Sequence, residues 1–407
     1  MSTTFEDAHP GRPRILFVGI PESSHTHSWV ELLDGATFNV RLFGMPTGLP
    51  PNDWPVPTYV TSSDHQLVES KTRTCLYPAS RISRFVKRQT ARILEEANSG
   101  ELASRWLAAT IMSWRPHVIH TLGLDQARFY FGARQRHRLG NIGKWVLQLR
   151  GGSDLTLARR DPERAKLISE VIRECDQLLS DNQENFRTAL EMGIRPAQLS
   201  RIGTVPGTGG IDLELRARLR PVTPSTRRTL LLPKSYESPW QKILPVFEAL
   251  KLCWDQIQPC EVWMLAADPE ARMWSRDLPS QIREHVRQFE RLPRTRALEM
   301  MSAARVMLAP SLVDGVPAVM YEAMALGAFP IVSPLETIVP VVEHERNVLF
   351  ARNLYPEEIA AALRRAMNDD GLVDAAAARN LELVRRVAGR EEIRSRVINF
   401  YEKLVVS

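Results

Sequence analysis

The chain is poor in cysteine. Its four cysteines, Cys75, Cys175, Cys253 and Cys260, show no CxxC spacing, which argues against a disulfide framework or a structural zinc site and fits a reducing compartment. Long apolar runs are also missing: none approaches the ~20 residues that a membrane-spanning helix needs. The opening stretch MSTTFEDAHPGRPR is polar and lacks the apolar centre of a signal peptide. Together these absences make a cytoplasmic protein the expectation. Zinc-finger spacings and RNP-type aromatic pairs are absent too, so nucleic acid is not an expected partner. No DxD flanked by a strand and no His/Asp cluster at ligand spacing occurs, so neither a catalytic metal nor a bound cofactor is expected.

What is present is ordinary globular composition carrying an uneven charge. The 407 residues are 44% hydrophobic and 25% charged, with a net charge of +6. At a soft prior of roughly 150 residues per domain the length suggests two or three domains. Residues 81–150 hold thirteen Lys/Arg against four acids, an excess larger than that of the whole chain. Within this region Ser80–Ala97 has a helical pattern: Ile82, Phe85, Val86, Ile93 and Leu94 recur at helical spacing, with Arg84, Lys87, Arg88 and Arg92 mostly elsewhere on the wheel. Such a helix suits peripheral contact with an anionic membrane, on the cytoplasmic face, or packs as a solvated helix on its own domain.

Short apolar runs alternate with helical patterns along nearly the whole chain, which predicts parallel sheets built from βαβ units. The first half offers strands at Ile15–Gly19, Val40–Phe43, Val118–Thr121, Trp145–Leu149, Gln177–Ser180 and Leu199–Ile202. A Pro-, Gly- and Arg-rich stretch from Val205 to Arg228 has few packing residues and reads as an interdomain connection. The pattern restarts with strands at Thr229–Leu232, Val262–Ala266, Val306–Ala309, Phe329–Val332 and Val348–Phe350. Helices are predicted around Ile243–Trp254, Thr295–Ala304, Met320–Leu326 and Pro356–Met367. The expected organisation is α/β: an acceptor-side Rossmann-like domain over 1–205, a linker over 206–228, a second Rossmann-like domain over 229–385 and a helix over 386–407 returning to the first domain. The strand ends of two such sheets would face one cleft, where open α/β sheets bind ligands. That architecture serves many chemistries, so function has to come from the site.

The informative segment runs from Pro310 to Val332, PSLVDGVPAVMYEAMALGAFPIV. It reads as strand, glycine-containing loop, helix, glycine turn, strand. A loop feeding a helix N-terminus presents backbone N–H groups to an anion and suits a diphosphate. Two acids flank it, Asp314 in the loop and Glu322 in the helix, with seven residues between them. Carboxylates accept hydrogen bonds from vicinal diols, which a ribose and a hexose both offer.

This segment resembles the acid-x7-acid motif of retaining GT-B glycosyltransferases, in particular glycosyltransferase family 4 (group 1). The likeness extends over PS, DG, P, EAMA, G and PI in order and spacing, far beyond the two acids. It is strong through the second domain and thinner elsewhere. The resemblance implies a GT-B fold and transfer of a hexose-type sugar, with retention and without metal, from a nucleoside diphosphate sugar. A uridine base is slightly preferred. The acceptor would be a glycan, a lipid-linked glycan or a small molecule, entering from the first domain. Glu322 would hold the ribose and Asp314 the transferred sugar, with Gly315, Val316, Val319 and Met320 along the donor.

Further residues take roles from the same resemblance. Arg291 and Leu292, in the FERLP stretch, would meet the base, and Gly19 would bring a small-residue loop to the donor. His25, His27 and Asp154 are acceptor-side candidates. A departing diphosphate develops charge that fixed cations must meet, and the family commonly uses an Arg and a Lys a few positions apart. Here Lys234 takes the first place and Lys242 is the nearest cation for the second; Lys lacks the bidentate fork of Arg. Asp314 stands where Glu is more usual, with a shorter arm. Because the basic motif is altered, a catalytically inactive nucleotide-binding partner subunit is a rival reading. A nucleotide-sugar epimerase is another, which the acid-x7-acid segment argues against.

Overall fold

A computed structural model describes residues 5–61, 75–76, 95–151 and 153–406. The basic stretch 80–94 lies outside the described residues. The chain forms two compact units. The first comprises Met1–Arg150, Asp154–Gly209 and Arg394–Ser407, and the second Gly151–Ser153 and Gly210–Ile393.

In the first unit seven strands form one parallel sheet. They are β1 (Arg14–Gly19), β2 (Asn39–Gly44), β3 (Thr58–Tyr59), β4 (Cys75–Leu76), β5 (Val118–Leu122), β6 (Lys144–Leu149) and β7 (Gln177–Ser180), in the order β4-β3-β2-β1-β5-β6-β7. The strands are nearly unbroken apolar runs because a parallel sheet is covered by helices on both faces; β5 is buried at every position. β3 and β4 are two residues long, too short to leave a periodicity in sequence. The predicted strand at Leu199–Ile202 reduces to one bridge, Leu178 to Leu199. Ser200 N–H still donates to Leu178 O at 2.9 Å, but the chain then turns through Gly203 before Val205 N–H reaches Ser180 O.

From Arg394 onward the helix Arg390–Val406 completes this unit. Tyr401 is fully buried, its ring edge-on to Phe17. Trp29 Nε1–H donates to its hydroxyl at 3.3 Å, and that hydroxyl lies 2.5 Å from His120 Nδ1. Burial holds His120 well below its ordinary pKa, so the ring is neutral and Nδ1 is free to accept from Tyr401.

The second unit holds a six-stranded parallel sheet. Its strands are β8 (Thr229–Leu232), β9 (Glu261–Met264), β10 (Val286–Gln288), β11 (Val306–Ala309), β12 (Phe329–Val332) and β13 (Leu349–Phe350), in the order β10-β9-β8-β11-β12-β13. β10 went unpredicted because its residues are mostly exposed and polar. The stretch 206–228, expected as a linker, contains packed structure. Leu213–Leu219 is a helix whose Leu213, Leu215 and Leu219 rest on the second unit's core. Two of its arginines serve as helix C-terminal ligands. Arg216 Nη1 donates to Ala325 O at 2.7 Å. Buried Arg227 donates to Ala304 O at 2.9 Å and Leu326 O at 3.2 Å, closing the C-terminal ends of two helices, where cations are favoured. Desolvation brings the Arg227 guanidinium down to about 10.

Candidate active site

The second unit's site is built where β11 ends. All four residues of β11 are buried, and the chain leaves the sheet through Pro310–Pro317 before the helix Ala318–Leu326. From Met320 to Leu326 this helix is buried throughout, so it is a core element and its N-terminus is held rigidly. It ends at Gly327, φ +83°, the left-handed cap that glycine adopts without strain.

Side chains from three directions clamp the loop between strand and helix. Ser311 N–H donates to Ser333 Oγ at 3.0 Å, and Asn353 Nδ2 donates to Pro310 O at 2.9 Å. Thr337 Oγ1 lies 2.9 Å from Asp314 O and 3.2 Å from Gly315 O. Trp240 O accepts from Leu312 N–H at 2.7 Å and from Val313 N–H at 3.2 Å. Asp314 Oδ1 accepts from Gly315 N–H at 3.0 Å, which fixes its first torsions.

Lys234, two residues beyond β8, forms an ion pair with Asp314 Oδ2, each side chain 20% exposed. Gln241 supports the pair from behind, its amide donating to Lys234 O. Tyr236 stands beside both charges; burial pushes its phenol up, opposed by Lys234 and reinforced by Asp314. Glu322 lies in the second turn of the helix, 8% exposed. Arg294 binds it, Nη2 at 2.9 Å and Nε at 3.3 Å from the same oxygen, Oε1. Burial nevertheless holds the Glu322 carboxyl above its ordinary value, with Arg294 offsetting part of the rise.

The helix N-terminus thus carries, within one element and its loop, a cation–carboxylate pair at one side and a buried carboxylate at the other. Residues 227–369 match the family described as glycosyl transferases group 1. This chain carries a group 1 glycosyltransferase domain. Solved structures share the whole GT-B fold at low identity. Sucrose-phosphate synthase from Thermosynechococcus elongatus is 17% identical with a TM-score of 0.72, the match covering 97% of this chain and 100% of that one. Anabaena HepE in complex with UDP is 12% identical with a TM-score of 0.66, covering 96% and 100%. A glycosyltransferase from Rickettsia africae is 10% identical with a TM-score of 0.65, covering 97% and 99%. No curated protein matches the chain.

Within the glycosyltransferase domain the structure brings Lys234, Asp314 and Gly315 together and sets Glu322 in the helix that follows the loop. Lys242 is placed otherwise. Its ammonium pairs with Glu237 Oε2 at 3.3 Å, and Glu237 Oε1 accepts from Ile243 N–H and Leu244 N–H at the start of the helix Leu244–Cys253. Its backbone is clipped to Asn353, which accepts at 3.0 Å and donates at 2.9 Å. Val316 and Met320 turn their side chains into the core, leaving only their backbone to a ligand, whereas Val319 is half-buried. Leu292 packs half-buried against the same core and Arg291 is exposed.

Arg294 was not anticipated from sequence. A signal existed: it opens the helix Arg294–Ala303, whose first turn holds no acid, and a cation there opposes the helix dipole unless a carboxylate lies close. Tyr236, Gln241, Thr337 and Asn353 left no comparable signal, because their roles depend on loops that meet only in three dimensions.

In the first unit, Gly19 ends β1 where a Cβ would meet Thr26 Cγ2 at 3.0 Å, so the residue is explained by close packing. His27 donates from Nε2 to Pro21 O at 2.6 Å and stacks on Trp54, ring centroids 4.4 Å apart. That engagement makes it a packing residue of the loop. His25 is exposed one position into the helix Ser24–Val30, and Asp154 lies in the short helix Ser153–Thr156. Among the described residues no three His, Cys, Asp or Glu side chains gather as a metal set, and no helix is long and apolar enough to cross a membrane.

Proposed function

We propose that this glycosyltransferase domain moves a hexose-type sugar, with retention and without metal, from a nucleoside diphosphate sugar to a glycan, lipid-linked or small-molecule acceptor. The observation carrying this reading is the Lys234–Asp314 pair at the loop before the helix that holds Glu322. On binding, the donor diphosphate takes Lys234 from Asp314 and lies against the first-turn N–H groups of Ala318–Leu326. The released Asp314 then accepts from hydroxyls of the transferred sugar, and Glu322 accepts from the ribose diol through Oε2, the oxygen that Arg294 leaves open. Lys234 supplies the fixed positive charge that developing negative charge on the leaving diphosphate requires. The anomeric C–O bond to the diphosphate breaks as the acceptor oxygen attacks from the same face, and the acceptor proton passes to the leaving phosphate oxygen.

UDP is the first donor base to test, since the fold relative HepE was solved with it. A thermal-shift panel of UDP-, GDP-, ADP- and dTDP-sugars reads the donor, because a ligand bound only by the folded state raises the melting temperature by mass action. No shift with any of them overturns the reading. A second reading, a nucleotide-binding subunit without transferase activity, is favoured by Lys242, whose pairing with Glu237 leaves Lys234 as the sole cation at Asp314 among the described residues. Donor binding with neither transfer nor hydrolysis of the sugar selects it.

A further inference from the structure

Ligands of open α/β sheets gather at the carboxyl ends of the strands. The first unit has a concavity at the other end of the sheet, a cavity of about 640 Å³ among the strand starts. The size is that of a small-molecule site, typically about 300–1,000 Å³. Its lining includes Arg14, Arg115, His117, Arg134 and Lys144, against the single carboxylate of Asp176.

Parallel pairing explains how these charges meet. Ile15 pairs with Val118 and Val118 with Lys144, so Arg14, His117 and Lys144 all lie at the starts of neighbouring strands, with Lys144 one register position on from Arg14 and His117. The arginines and Lys144 gathered at this edge repel one another unless something neutralises them. Part of the charge is met inside the fold. Arg14 pairs with Asp7 at 2.8 Å and donates to Trp114 O at 2.9 Å, and Arg134 pairs with Glu174 at 2.6 Å. The Asp176 carboxylate is turned to Trp145 N–H at 2.7 Å. Among the described residues, no acid or acceptor meets the Arg115 guanidinium or the Lys144 ammonium. His117 accepts from Arg14 N–H on Nδ1 at 3.0 Å, which leaves its proton on Nε2 as a further donor.

Arg115 has φ +49° and its N–H closes on Ile111 O at 2.9 Å, the left-handed cap of the helix Glu95–Trp114. Arg138 and Arg220 end helices in the same way, so the conformation alone marks nothing. What distinguishes Arg115 is a place in a concave cluster whose remaining charge the fold leaves unanswered.

We infer that this cavity is a second anion site, separate from the glycosyltransferase domain, that takes a phosphate-bearing ligand through Arg115, Lys144 and His117. A phosphate monoester or diphosphate presents several acceptor oxygens to donors from two chain segments, Arg115–His117 and the start of β6, as guanidinium and ammonium groups bind best. The phosphate has two sources, a soluble metabolite or a lipid headgroup.

The test titrates the full chain with inorganic pyrophosphate at low salt, on a Lys234→Ala background that weakens the donor site. The background is expected to bind pyrophosphate, more weakly as salt rises. Adding Arg115→Ala and Lys144→Ala is expected to weaken that binding about tenfold or more. Arg115→Gly separates ligand from fold: glycine suits the left-handed cap, so the melting temperature is expected to hold or rise while affinity falls. A parallel arm sediments the same variants with phosphatidylglycerol vesicles. Pyrophosphate binding lost with the two cations assigns a soluble phosphate. Vesicle binding lost with them, without a pyrophosphate response, assigns a headgroup. If the substitutions change neither, the inference is overturned.

Discussion

Arg294 and Glu322 meet through one carboxylate oxygen: both guanidinium contacts fall on Oε1, at 2.9 and 3.3 Å. The pair is asymmetric, since the arginine side chain is 43% exposed and the glutamate 11%. Removing the arginine therefore strands a buried charge, while removing the acid frees a cation that water can solvate.

Arg294→Ala should accordingly destabilise the domain by about 1–3 kcal/mol, the cost of leaving a buried group unsatisfied. Glu322→Gln should cost less. In the double variant most of the Arg294→Ala loss should return, and urea unfolding of the four chains measures it as a double-mutant cycle. Additive losses would mean that the contact carries no coupling.

The pH dependence has a definite sign. Burial raises the Glu322 carboxyl in the folded state, so between the ordinary and the raised values the folded chain binds more protons than the unfolded one. Stability from this group is then greatest below the ordinary glutamate range and falls as pH rises through the folded value. Glu322→Gln should remove that slope, read as the difference between wild-type and variant melting temperatures across acidic pH.

The Lys234–Asp314 pair predicts opposite effects on nucleotide affinity. Lys234→Ala should weaken UDP binding about tenfold or more, as a charge-assisted contact is lost. Asp314→Asn should bind UDP as well as wild type or better, because the lysine no longer has to leave a carboxylate, yet it should transfer sugar far more slowly. Calorimetry with UDP and a transfer assay check the two halves separately. Weaker UDP binding by Asp314→Asn would contradict the assigned roles.

Arg227 is expected to matter for stability alone. Truncation to alanine leaves the Ala304 and Leu326 carbonyls without their donor, with an expected loss of about 1–3 kcal/mol in denaturant unfolding. UDP affinity at saturating folded fraction should be unchanged.

Much of the fold is legible in the sequence alone. The strands at Gln177–Ser180, Thr229–Leu232, Val306–Ala309 and Phe329–Val332 carry the bounds expected of them, because buried parallel strands are written as short apolar runs between turns. The Asp314–Glu322 segment stands out in the sequence through its resemblance to a family motif that extends well beyond the two acids. Three kinds of feature do not. Strands of two residues, such as Thr58–Tyr59, leave no period to detect. The segment before β8 reads as a linker because it is rich in Pro, Gly and Arg with few packing residues, yet Arg227 is spent inside on carbonyls. Lys242 seemed the natural second cation on distance along the chain, and only the fold turns it toward Glu237. Arg294 went unseen for the converse reason, since its partner lies 28 positions away.

Tyr401 closes the first unit's core against Phe17, Trp29 and His120. Those partners precede the second unit along the chain, and Tyr401 follows it. Domains commonly fold in the order they are made, but here the earlier-made unit cannot bury its own aromatic centre until translation has passed through the whole of the second. The nascent first half must wait with that apolar surface open, which makes it, rather than the glycosyltransferase domain, the part expected to need protection from aggregation while the chain is being built.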